Sequence, residues 1–205
     1  MRGVHVLRMI DVFDAGYSAS VWGYGSGGGS DPNNAAQYVA FLSGLVYSLH
    51  PPRVLDIGCG DGRMAAAVNW CGADYCGVDV SSGALALFQE QFDSVRAKSV
   101  TLICGDALTV DLPPADLVIC KEVMQHMDTE STHRLIERLR CIGPVVVCNG
   151  ITGTGLVGEI NGPVSHGPGT ARGIDLSLPP YSLPVETVFE YTITSTRYIV
   201  QTLGL

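Results

Sequence analysis

From Val54 to Ala65 the chain reads Val-Leu-Asp-Ile-Gly-Cys-Gly-Asp-Gly-Arg-Met-Ala. A short apolar run ends in three glycines spaced two apart, and an alanine-rich helical pattern follows at once. That order predicts a strand, a tight turn and a helix N-terminus, the opening unit of a parallel sheet. Glycines let the backbone take positive φ and come close to a ligand, and the free N–H groups of the new helix favour an anion.

Two ligands suit such a turn. Gly60-x-Gly62-x-x-Ala65 fits the permissive dinucleotide fingerprint, whereas the same frame begun at Gly58 fails at Arg63. Charge separates the two. Asp61 would sit where a pyrophosphate must lie, with Asp56 close behind it. Two carboxylates beside two phosphates repel by several kcal/mol at an effective dielectric of ~20. S-adenosylmethionine (SAM) suits the turn better, because its carboxylate can face the helix N–H groups while its ammonium and sulfonium face Asp56 and Asp61.

Asp56-x-Gly58-x-Gly60-x-Gly62 in this context resembles motif I of class I SAM-dependent methyltransferases, and the general resemblance covers roughly residues 30–205. It implies a Rossmann-like, doubly wound α/β fold: a seven-stranded sheet, mostly parallel, with an antiparallel last strand. It also implies a cofactor site built from Asp56, Gly58, Cys59, Gly60 and Asp61, with Asp106 accepting from the adenine amino group and the Ala107 N–H facing the ring. Asp79 ends a second apolar strand nineteen residues past Gly60, near the spacing at which an acid meets ribose hydroxyls, and Val80 follows it.

The chain of 205 residues is long enough for one well-buried core, and no internal repeat or second domain is visible. We therefore expect a single domain over 1–205, with an N-terminal segment and glycine-rich flap at 1–32 and an acceptor-side loop at 150–184. No apolar run reaches the ~18 residues a membrane span needs, and residues 1–13 make a poor signal peptide. Seven cysteines, an odd number without a Cys-x-x-Cys pair, suggest a reducing, cytoplasmic setting. The net charge of −8 disfavours a nucleic-acid partner. His126 and His133 lie one heptad apart with no third ligand, so no metal site is predicted. Whether a divalent ion orients the acceptor, and the oligomeric state, stay open.

Residues 1–21 read as a short strand or a helix turn. Trp22-Gly-Tyr24-Gly-Ser-Gly-Gly-Gly-Ser30 is either a flexible linker or a flap whose Trp22 and Tyr24 close over the site. Asp31-Pro32 predicts a helix start, with Leu42, Leu45, Val46 and Leu49 on its buried face. After the glycine turn a helix is expected to bury Met64, Val68 and Cys71 and to end at Gly72. Strands follow at 75–80, 100–104, 117–120 and 145–148, and a closing hairpin at 187–203. Leu135, Ile136 and Leu139 mark the core face of a helix capped by Asp128 or Thr129, leaving Arg134, Arg138 and Arg140 in solvent. In the glycine- and proline-rich loop, His166, Arg172 and Asp175 are the polar candidates, and Pro179-Pro180-Tyr181 reads as a rigid turn.

Ligands of doubly wound sheets bind outside the carboxyl ends of the strands, so Lys121 to Met127 should line the site, with Lys121 on the cofactor side. Methyl transfer to a hydroxyl needs a base, and a histidine titrates near working pH. His126 is the first candidate and Glu122 the second. Three stretches (Trp22 to Gly27, Ile119 to His126, Arg172 to Tyr181) are similar to short methyltransferases of bacteria and large DNA viruses, some fused to glycosyltransferases. That resemblance implies O-methylation of a sugar or glycan hydroxyl, or of another small acceptor. The alternatives are N-methylation of a protein or small amine, and a SAM-binding regulator without turnover.

Overall fold

The computed structural model describes residues 9–23, 25–153, 156, 158–163 and 171–205, with the side chains of residues 9 and 10 excepted. Seven strands form one sheet in the order β3-β2-β1-β4-β5-β7-β6. They are β1 (Arg53–Ile57), β2 (Asp74–Asp79), β3 (Ser99–Cys104), β4 (Leu117–Lys121), β5 (Val145–Thr152), β6 (Glu186–Ile193) and β7 (Thr196–Leu203). Strands β1 to β5 pair in parallel, and β7 runs antiparallel to both β5 and β6. The helices are α1 (Met9–Ser18), α2 (Ala36–Leu49), α3 (Arg63–Ala67), α4 (Ser82–Gln89) and α5 (Thr129–Arg140).

Strand side chains alternate between two cores, as a period of two requires. Val54, Leu117, Ile119, Val146 and Cys148 pack under α2 with Tyr38, Leu42, Val46 and Trp70. Leu55, Ile57, Val118, Cys120, Val145 and Val147 pack on the other face against Leu135, Ile136 and Leu139 of α5. The chain winds outward from β1 through β2 to β3, then crosses back to β4. The carboxyl ends of β1 and β4 therefore flank the point where the winding reverses, which is where such sheets open a crevice.

Several boundaries differ from the sequence reading. Residues 9–18 form a helix, and residues 1–8 lie outside the described ones. Helix α2 begins at Ala36 rather than Asp31, because the Asp31 carboxylate accepts from the Asn33 N–H in a local turn instead of capping a helix. Helix α3 ends at Ala67. Val68 is extended, and Asn69 bridges to Arg96 beside β3, so Val68 is buried without being helical and Cys71 is only half-buried. Arg138 is not solvated: its guanidinium donates to the Ala107 carbonyl at 2.9 Å and to that of Val110, tying α5 to the segment after β3. Asp128 caps α5 by accepting from the Ser131 N–H, which holds its carboxyl below the usual range. Among the described residues no helix is long and apolar enough to cross a membrane.

Candidate functional site

The glycine turn leaves β1 with Gly58, Gly60 and Gly62 at φ of 72°, 60° and 79°, a region L side chains rarely adopt. Space is as restrictive as conformation. A Cβ on Gly58 would overlap Val123 Cγ2, one on Gly60 would overlap Ser26 Oγ, and one on Gly62 would lie 2.6 Å from the Phe88 ring. Strand β2 stabilises the turn from below, where the Val78 carbonyl accepts from the N–H groups of Gly58 and Cys59.

A cavity of about 300 Å³ opens at this turn. Gly58, Gly60, Asp79, Val80, Asp106 and Ala107, drawn from the ends of three strands, all line it. The Asp79 carboxylate accepts from the Gly60 N–H and the Ser81 N–H, both at 2.9 Å, so it fixes the glycine turn while bordering the cavity. Burial raises its pKa, and those two N–H bonds oppose the rise. Asp106 closes a local turn on the Leu108 N–H at 2.8 Å at the cavity's edge. The helix cap beside Asp79 is Ser81, whose side chain accepts from the Ala84 N–H.

A smaller cavity of about 30 Å³ adjoins the turn, bordered by Tyr38, Asp56, Gly58, Cys59, Asp61 and Lys121. It has room for one water or one ammonium-sized group. Asp56 is buried, accepts from the Tyr75 hydroxyl at 2.6 Å, and has its pKa pushed up to about 7, chiefly by burial. The Tyr38 hydroxyl is buried there without a hydrogen-bond partner. The Cys59 thiol is turned in against Gly77, and burial raises it well above the ordinary thiol range, so its backbone is what it offers a ligand. Asp61 is already engaged: one oxygen accepts from the Ser26 N–H at 2.8 Å and from Arg63 at 2.8 Å. A half-neutral buried acid, an unpartnered hydroxyl and a glycine cradle are groups chemically suited to the zwitterionic tail of SAM.

A third cavity, also about 300 Å³, lies on the β4–β5–β7 side and is bordered by Trp22, Glu122, Gln125, Gly150 and Tyr198. Phe13, Tyr17, Ser26 and His126 border both this cavity and the first large one. His126 ends a single helical turn, Met124–His126, directly after β4, and its ring meets Phe13 edge-on at 5.3 Å. Glu122, at φ 56°, is paired with Lys121 and accepts from the Tyr198 hydroxyl at 3.3 Å. Lys121 also donates to the Gly29 carbonyl at 2.8 Å and lies 5.8 Å from the ring centroids of Tyr38 and Tyr198.

Residues 54–142 match the family description of a methyltransferase domain. Over 87 residues the chain is 33% identical to the ubiquinone biosynthesis O-methyltransferase of Pseudomonas putida, covering 42% of this chain and 38% of that protein. The Pseudomonas aeruginosa enzyme of the same name is 33% identical over 90 residues, 42% of this chain and 39% of that one. The match thus spans well under half the length of these relatives. Magnesium protoporphyrin IX methyltransferase from Synechocystis PCC 6803, crystallised with bound SAH, superposes with a TM-score of 0.67 at 16% identity, over 96% of this chain and 98% of that one. TehB from Haemophilus influenzae superposes with a TM-score of 0.59 at 12% identity, over 86% and 67%. The fold of this chain is the one these structures share.

Not every polar candidate reaches the site. Arg172 is buried and holds the late loop, donating to the Met127 carbonyl at 2.8 Å, to the Tyr181 hydroxyl at 2.7 Å and to Gly162. Asp175 accepts from Ser177 and from Gln201, while His166 and Tyr24 lie outside the described residues. Gln125 lines the cavity as the sequence led one to expect of Lys121 to Met127, whereas sequence reasoning missed Phe13, Tyr17, Ser26 and Tyr198. Phe13 and Tyr17 stand one helical turn apart on α1, a spacing that signals a shared face once the helix is known. Ser26 carried no signal beyond its place among glycines.

Proposed function

We propose that this protein is a SAM-dependent O-methyltransferase acting on a hydroxyl of a small acceptor. The observation that carries the reading is the position of His126, on the wall common to the glycine-turn cavity and the cavity beyond β4. When bound, SAM supplies a methyl group on a sulfonium sulfur, which leaves as a neutral thioether with the bonding electron pair. Asp56 and the backbone at Gly58 and Cys59 would hold its amino-acid end, Asp79 and Val80 its ribose, and Asp106 and Ala107 its base. His126 accepts the proton that the acceptor hydroxyl sheds as its oxygen forms the new C–O bond. Phe13 and Tyr17 cover the junction, excluding water and aligning the reactants.

The environment of Glu122 disfavours the amine alternative. Lys121 already compensates its carboxylate, so the acceptor cavity has little unspent negative charge to attract an ammonium. An accessible cavity beyond β4 argues likewise against a regulator without turnover. The sugar or glycan acceptor rests on the three short stretches of sequence resemblance. Incubation with methyl-labelled SAM and a panel of rhamnosides, fucosides, catechols and amines, followed by product mass spectrometry, tests the reading. Ether products support it; label transferred only to nitrogen refutes it.

A further inference from the structure

Gln125 occupies a peculiar place beside the base. Its residue is only 6% exposed and borders the cavity beyond β4. One end of its carboxamide, Nε2, lies 3.5 Å from His126 Nε2, and the other end, Oε1, is buried with no hydrogen-bond partner. The backbone on which it sits is fixed, since the Gln125 carbonyl accepts from the Arg172 N–H at 3.2 Å. Rotating the amide by half a turn exchanges oxygen and nitrogen but not the imbalance, because one end still meets His126 and the other still meets nothing. A buried polar atom without a partner costs about 1–3 kcal/mol. A hydroxyl resolves either orientation, as it donates to Oε1 or accepts from Nε2.

We infer that Gln125 determines acceptor specificity by binding the hydroxyl next to the one that His126 deprotonates, so that the preferred substrate is a vicinal diol. His126 and Gln125 are consecutive residues with side-chain ends in mutual reach, which matches two oxygens on adjacent carbons better than one isolated hydroxyl. The inference rests on the O-methyltransferase reading above. It narrows the acceptor to sugars, catechols and similar compounds bearing neighbouring hydroxyls.

The test uses the full chain with SAM and paired probes: methyl α-rhamnoside against its 2- and 3-deoxy analogues, and catechol against phenol. The wild type should favour at least one diol over its monohydroxy partner by about tenfold or more in kcat/KM. In Gln125→Leu the preference should collapse to about twofold or less, with the loss in KM for the diol and calorimetric binding of S-adenosylhomocysteine unchanged. Gln125→Glu keeps the shape of the side chain, so it should retain the diol preference. Its added carboxylate should move the His126-dependent limb of the pH–rate profile to higher pH, which a merely structural residue would not do. An unchanged preference in Gln125→Leu overturns the inference, as does a panel in which no diol is methylated. Should Gln125→Leu misfold, a folded Gln125→Glu whose pH–rate profile and diol preference both equal those of the wild type overturns it as well. If His126→Ala retains turnover while Gln125→Leu still flattens the preference, the base assignment fails and the diol selection stands.

Discussion

Ser26 and Asp61 are bonded to each other twice: the Ser26 N–H donates to Asp61 Oδ2 at 2.8 Å, and the Asp61 N–H donates to Ser26 Oγ at 2.9 Å. This reciprocal pair, thirty-five residues apart in sequence, clamps the glycine-rich segment onto the glycine turn. Tyr17 shares the serine hydroxyl at 2.6 Å, Arg63 reaches the Gly27 carbonyl, and Lys121 reaches that of Gly29. Ser26, Gly27 and Gly29 are thereby tied to the glycine turn, to the start of α3 and to the end of β4.

Removing the clamp should free the segment. Ser26→Ala deletes two hydrogen bonds at the hydroxyl, each worth about 0.5–1.5 kcal/mol net. We expect faster amide hydrogen exchange over residues 22–30 and a several-fold weaker affinity for S-adenosylhomocysteine, with the global melting temperature little changed. Gly25→Ala should act more severely, since its Cβ would overlap the Asp61 carboxylate at a φ of 65°. Exchange rates equal to wild type in both variants would contradict the clamp.

Asp56 gives the free protein a pH dependence whose sign follows from its pKa. Folding raises that pKa to about 7, above the ~3.9 of an unfolded aspartate. Its contribution is therefore fully present below about pH 4 and is lost as pH rises through about 7. Asp79, also raised, acts in the same direction. Asp56→Asn should flatten the fall in melting temperature between about pH 5 and pH 8. Binding of a ligand ammonium needs the ionised acid, so S-adenosylhomocysteine affinity should weaken by up to about tenfold per unit below pH 7 in the wild type and less in the variant. Parallel pH slopes in the two proteins would contradict this.

Gly58 meets both a conformational and a steric limit. Gly58→Ala places a Cβ against Val123 Cγ2 at a φ of 72°, and a non-glycine residue held there costs about 1–3 kcal/mol. We expect lost cofactor binding and a lower melting temperature. Adding Val123→Ala should restore part of the stability by removing the overlap, leaving the backbone strain. Full recovery would show that space alone mattered.

Arg172 should prove structural. It is 2% exposed and its guanidinium serves three backbone carbonyls and the Tyr181 hydroxyl. Arg172→Leu should lower stability by about 3 kcal/mol or more through those unsatisfied groups, seen as an early denaturation midpoint. Arg172→Lys should rescue little, because one ammonium cannot reproduce the planar fork.

The parts of this protein readable from sequence were those encoded locally. Three glycines on alternate residues after Val54-Leu-Asp-Ile fix a strand-turn-helix whatever surrounds them, and the period-two cores follow from runs such as Leu117 to Cys120. Helix ends were less legible. Asp31 can close a turn as well as cap a helix, and the pull of Arg96 on Asn69 that cuts α3 short is a long-range event. The same reason hid the structural roles of Arg138, which reads as a solvated charge, and of Arg172, which reads as a polar site candidate, until the carbonyls they serve are brought to them. Ser26 and Tyr17 acquire meaning only when the N-terminal elements fold over the ends of β1 and β4.

The most direct test is the pH dependence of methyl transfer to a hydroxyl acceptor in the wild type and in His126→Ala, with S-adenosylhomocysteine affinity measured alongside. If His126 removes the hydroxyl proton, the variant loses on the order of 10²–10⁴ in kcat, its rate no longer rises through the imidazole titration range, and ligand affinity is retained. Unchanged turnover with an unchanged pH profile would contradict the assignment of His126 as the base.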